Sequence, residues 1–213
     1  MTRETGFDEV FDSQAAFRVL LDSMSRPGSL RKLPPRPYPF APNGFCPPAL
    51  SILKTVCDHR ISFSVGSSDA RQEWVGYLTM NLATPFRPVE EADYVLFNGE
   101  SFEQDFTRLK RGTLEYPERS ATALVCVRRL SDGEHAGETA GGAAPQLAGS
   151  RELCVSGPGV SGTLVLTVSG FDARYLEERS AANRFYPMGI DLLLVDDAGR
   201  VAGLPRTSVV EAR

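Results

Sequence analysis

The chain has 213 residues, of which 42% are hydrophobic and 23% charged, with a net charge of −4 and a pI near 5.3. A chain of this size buries roughly 70% of its unfolded surface, so a single domain over 1–213 needs no disulfide or metal staple. The acidic balance argues against nucleic-acid binding, and no apolar run reaches the length of about 18 residues that a membrane span requires.

The N-terminal stretch "MTRETGFDEVFDSQAAF" carries acids and lacks the apolar centre of a secretory signal, so a cytoplasmic location is expected. Residues 12–25 form a predicted helix, with Phe17, Leu20, Leu21 and Met24 spaced along one face. Arg26 precedes Pro27, which pushes it out of the α region and ends that helix. "SLRKL" (29–33) suits a short strand. Seven prolines between 34 and 48 predict an extended tract unable to join a sheet interior. Pro48 suits the first turn of a helix running to about Asp58, with Leu50, Leu53 and Val56 inward.

"RISFSVG" alternates as a strand. Residues 69–82 form an amphipathic helix that clusters Trp74, Tyr77, Leu78 and Leu82. "ADYVLFN" is a strand, and 100–111 a predicted helix ended by Gly112. "ATALVCV" (121–127) is apolar throughout, as expected of a central strand covered on both faces. Residues 131–150 are Gly/Ala-rich and aperiodic, which predicts a mobile surface loop. Strands near 151–156 and 163–168 follow, then a helix over 172–183. "DLLLV" and "VAGLP" complete a hairpin around "DDAGR". Alternating helices and strands point to an α/β fold with a mixed sheet.

Few residues offer chemistry. "GPGVSG" (157–162) matches G-x-G-x-x-G, but it opens a β-branched stretch and not a helix, so it reads as a turn. The two histidines, His59 and His135, sit at a helix end and in the Gly/Ala loop. Neither stands in a nucleophile–base setting, and there is no G-x-S-x-G elbow. The four cysteines form no C-x-x-C pair and are expected to be reduced and structural. No spacing suits a metal, and catalytic residues are not identifiable. Lys32, Lys54 and Lys110 are the only lysines. Lys54 is expected on a polar helix face and Lys110 in solvent, so neither matches the desolvated setting of a Schiff-base lysine. No cofactor is expected.

What remains is a set of turn-placed polar residues: Arg26, Pro27 and Gly28 in "MSRPG", Pro187, Gly189 and Asp191 in "YPMGID", and Pro205, Arg206 and Thr207 in "LPRT". These are the binding or interface candidates. Asp191 opens an apolar strand, so it needs an exposed rim or a partner. Arg206 either binds a phosphate-like group through its forked donors or pairs with Asp191.

"AFRVLLDSMSRPG" (16–28), "GTLEYPERSATALVCV" (112–127), "LCVSGPGV" (153–160), "NRFYPMGIDLLLV" (183–195) and "LPRTSVVE" (204–211) together resemble the PhnH subunit family of the bacterial carbon–phosphorus lyase system. The resemblance covers nearly the whole chain and is most specific in P-x-G-I-D followed by L-P-R-T. Two departures are the longer loop at 131–150 and Ser208 where a second threonine is common. The resemblance implies a single three-layer α/β domain with a mixed sheet, similar in outline to the large domain of pyridoxal-phosphate-dependent transferases but without that cofactor's site. It also implies a homodimer when isolated, and a core complex with the G, I and J subunits. In that complex the chain would be an accessory subunit. It would support conversion of alkylphosphonate and ATP to alpha-D-ribose 1-methylphosphonate 5-triphosphate. The competing expectation is an autonomous small phosphonate- or nucleotide-binding transferase.

Overall fold

The structure is a computed structural model that describes residues 3–132 and 149–213. The interior of the Gly/Ala tract and His135 lie outside the described residues. Two sheets stack in one core. The larger combines β1 (Arg31–Lys32), β2 (Phe63–Val65), β3 (Tyr94–Asn98), β4 (Thr122–Val127), β8 (Asp191–Asp196) and β9 (Arg200–Leu204) in the order β1-β9-β8-β4-β3-β2. Strands β2, β3, β4 and β8 are parallel, β9 runs against them, and β1 runs against β9 and so shares their direction. The smaller sheet is antiparallel, ordered β10-β6-β7-β5, from β5 (Arg129–Asp132), β6 (Ser150–Ser156), β7 (Leu164–Ser169) and β10 (Val209–Ala212).

Strand β4 explains the layering. Ala123, Leu124, Val125, Cys126 and Val127 are all buried, and alternate residues enter different clusters. Leu124 and Cys126 face α1 (Phe11–Ser25), α2 (Pro47–Val56) and α3 (Arg71–Asn81). Ala123, Val125 and Val127 face the second sheet and α4 (Arg174–Asn183). Each fully buried Leu or Val here stabilises the fold by about 1.5–3 kcal/mol.

Helix α1 turns inward only part of the face its apolar spacing predicts, through Leu20 and Met24. Ala16, Leu20 and Ser23 are buried, while Phe17 and Leu21 remain 48% and 54% exposed. Close approach is the reason. The helix lies on β9 at Gly203, where an added Cβ would stand 2.6 Å from the Ser23 carbonyl oxygen. Gly203 leaves room for the Ser23 backbone and the Met24 sulfur, so Leu20 and Met24 pack on the inner side while Phe17 and Leu21 turn outward.

The helix predicted over 100–111 is reduced to a 3-10 turn, Gln104–Arg108. Its backbone is committed elsewhere: Gly99 donates to Cys126 O at 2.7 Å and Phe102 to Asp172 Oδ2 at 3.2 Å. Tertiary bonds override local propensity there. The edges of the predicted loop belong to β5 and β6, and "GPGVSG" turns between β6 and β7 with Gly157, Gly159 and Gly162 at positive φ. Strand β10 and the separation of two sheets are additions to the sequence reading. The four cysteines are free thiols, and His59 is exposed. No helix among the described residues is long and apolar enough to cross a membrane.

Candidate functional site

The C-terminal motif residues converge at the amino ends of the parallel strands, where Asp191 of β8 stands beside Thr122 of β4. Asp191 and Arg206 form an ion pair at 2.5 Å, with side chains 17% and 15% exposed. The Asp191 Oδ1 also accepts the Arg206 backbone N–H at 2.7 Å and Nε at 3.2 Å. Arg206 Nη1 donates to the carbonyls of Pro117 (2.7 Å) and Pro187 (3.3 Å), and Nη2 to Ser120 Oγ besides Asp191. A guanidinium has five N–H donors. These five acceptors match them, and none is left for a phosphate or phosphonate.

The neighbouring bonds are of the same kind. Buried Arg179 of α4 places Nη2 against the carbonyls of Leu204, Pro205 and Ser208 and against Ser208 Oγ. Burial lowers its pKa to about 10, which Asp191 opposes. Pro205 O additionally accepts the Ser208 hydroxyl at 2.7 Å. Asn183 bonds Ile190 through both ends of its amide, at 2.7 and 3.3 Å. Gly189 lies so close that an added Cβ would be 2.4 Å from Asn183 Oδ1. The Tyr186–Pro187 bond is cis. Thr207 is exposed, and its carbonyl backs the turn at Gly157.

The third motif lies elsewhere. Gly28 donates to Gly203 O at 2.9 Å and packs on Val155, Pro27 is buried, and Arg26 pairs with Asp22 at the surface. The "MSRPG" turn thus joins α1 to both sheets, apart from the Asp191–Arg206 cluster. Sequence reasoning missed Ser120, Arg179 and Asn183. A serine, an arginine and an asparagine in polar-looking stretches carry no spacing that would mark them.

Reactive chemistry is scarce across the described residues. No group of three His, Cys, Asp or Glu side chains there is placed to hold a metal ion. The Cys46 thiol is held protonated, first by its hydrogen bond with Cys126 and then by burial, and burial pushes the Cys57 thiol up to about 12. Lys110, expected in solvent, is instead paired with Asp93 and bonded to Glu91 O. Lys54 is half-buried, its pKa lowered chiefly by desolvation, and its ammonium lies over the Phe7 ring.

Ligands of open α/β sheets bind outside the carboxyl ends of the strands. The motif cluster lies at the opposite ends, with its donors already engaged. Fold and cluster together define a mixed α/β domain whose motif residues Asp191 and Arg206 are bonded to each other and to the surrounding backbone. The chain belongs to the PhnH family: residues 5–211 match the family described as bacterial phosphonate metabolism protein (PhnH). It is 30% identical over 208 residues to the alpha-D-ribose 1-methylphosphonate 5-triphosphate synthase subunit PhnH of Rhizobium meliloti (strain 1021), covering 96% of this chain and 92% of the relative. It is 31% identical over 205 residues to a protein of Stutzerimonas stutzeri named as a candidate C-P lyase subunit, HtxG, covering 94% of this chain and 86% of that one.

Proposed function

We propose that this chain is an accessory, non-catalytic subunit of the carbon–phosphorus lyase core complex. In this reading it acts in the cytoplasm and supports formation of alpha-D-ribose 1-methylphosphonate 5-triphosphate from an alkylphosphonate and ATP. It associates with itself when alone and with the G, I and J subunits in the assembly. The observation that carries the non-catalytic part is Arg206, the motif residue best suited to a phosphonate, with all five donors engaged inside the fold. The family match over 5–211 supports the rest. We also extend the proposal to the layered likeness with pyridoxal-phosphate-dependent transferases. The chain carries that outline without the cofactor.

Reconstitution tests the reading. Partners plus this chain should form the ribose phosphonate product, partners alone should form less, and this chain alone should form none. Turnover of methylphosphonate and ATP by the isolated chain would instead make it an autonomous transferase. Pyridoxal phosphate added to the chain should give no stable aldimine absorbance; a band abolished by Lys54→Ala would overturn that part.

A further inference from the structure

At the carboxyl ends of the parallel strands, Glu103 is 6% exposed. Its Oε1 accepts the Asn98 N–H at 2.8 Å and the Ser68 N–H also faces the carboxyl group, while Oε2 is buried without a well-formed hydrogen bond among the described residues. The carboxyl group lies against Gly66, where an added Cβ would stand 2.1 Å from Oε2 and 2.6 Å from the Phe97 ring. This carboxyl group therefore packs against the Gly66 backbone, while Arg71, the cation that reaches it, is paired with Asp105.

Around it, one connected set of bonds holds the segment that leaves β3. The Tyr175 hydroxyl lies 2.9 Å from Asn98 O and 3.1 Å from Ser101 O, and accepts the Glu103 N–H at 3.3 Å. Asp172 donates its N–H to Gly99 O and accepts from Phe102 N. We propose that Glu103 is a proton-operated latch: protonated, it holds the segment 98–109 on the end of the sheet, and ionised, it loosens that segment.

From the β2–α3 turn the Ser68 N–H faces the carboxyl group, and from α3 comes Arg71, which is turned to Asp105 at 3.3 Å. Asp105, on the 3-10 turn, is buried and also bonds Arg108. From α4 come Tyr175 and Arg174, which pairs with Asp172 just before the helix. Arg174 holds Asp172 down to about 2, and burial raises Tyr175, so neither changes charge near neutrality. Burial pushes Glu103 itself up to about 7, with the Asn98 and Ser68 N–H groups and Arg71 opposing and Asp105 adding to the rise. Ionising a buried carboxyl group that lacks an ion pair among the described residues favours the opened segment, where water reaches it.

Hydrogen–deuterium exchange on the full chain tests the latch. After correction for the intrinsic pH dependence of exchange, protection of the 99–109 amides should fall about tenfold from pH 6 to pH 8. Strand β4 should keep its protection, and Glu103→Gln should make the segment insensitive to pH. Equal protection at both pH values in the wild type, or an undiminished change in Glu103→Gln, would overturn the proposal. A carboxyl-carbon NMR titration of the wild type decides independently of whether the variant folds. A Glu103 midpoint near 7 supports the latch, and one below about 5 removes it.

Discussion

The two ends of the parallel strands solve the same problem in opposite ways. At the amino ends, Asp191 and Arg206 bury opposite charges together, and each N–H of the guanidinium finds an acceptor. At the carboxyl ends, Glu103 buries a carboxyl group with one oxygen bonded to Asn98 and the other without a well-formed bond or an ion pair among the described residues. A closed set of bonds leaves no buried charge without a partner. An open one responds to protons. The motif residues conspicuous in the sequence belong to the closed end.

Breaking the closed end should have the largest effect. Asp191→Asn or Arg206→Gln leaves a buried charge uncompensated, so each should cost about 3–5 kcal/mol in denaturant unfolding. For a domain of this size that is a fall in Tm of roughly 6–20 °C. A double-mutant cycle should give strong coupling. Additive, near-zero effects combined with loss of product formation in the reconstituted complex would place Arg206 in ligand binding.

Arg179→Leu comes next. It strips the carbonyls of Leu204, Pro205 and Ser208 of a shared donor, and should cost about 2 kcal/mol. An unchanged midpoint would mean that α4 does not brace the C-terminal turn.

The open end should give a smaller effect with a pH signature. Glu103 keeps its proton to about 7 in the fold, against about 4.3 in an unfolded chain. The folded state therefore binds more protons between these values, and stability falls as pH rises through that window. From pH 6 to pH 8 the decline attributable to Glu103 should be about 1.4 kcal/mol, and Glu103→Gln should abolish it. Chemical denaturation of both proteins at the two pH values measures the difference. Arg26→Ala, which breaks only a surface pair with Asp22, should change stability by less than about 0.5 kcal/mol.

Much of the secondary structure was legible because periodicity reports burial. The strand at 121–127 announced itself by having no polar face, and both of its faces are covered. The Asp191–Arg206 pair was legible as one of two alternatives, because a carboxylate opening an apolar strand calls for a partner. The inward face of α1 was only partly so: Leu20 and Met24 pack inward as their spacing suggests, but Phe17 and Leu21 do not. Glu103 was not legible either. Its isolation depends on Arg71 turning to Asp105, a choice made only when three elements meet.

The strand order bears on biosynthesis. Strand β8 completes the larger sheet beside β4, and β10 closes the smaller one on β6. On a ribosome, both sheets wait for residues 191–212 while β4 and β6 present open edges to other nascent chains. A transcript cut short after Leu204 would release a polypeptide with the β6 edge bare. Such a product is a natural client for chaperones and proteases.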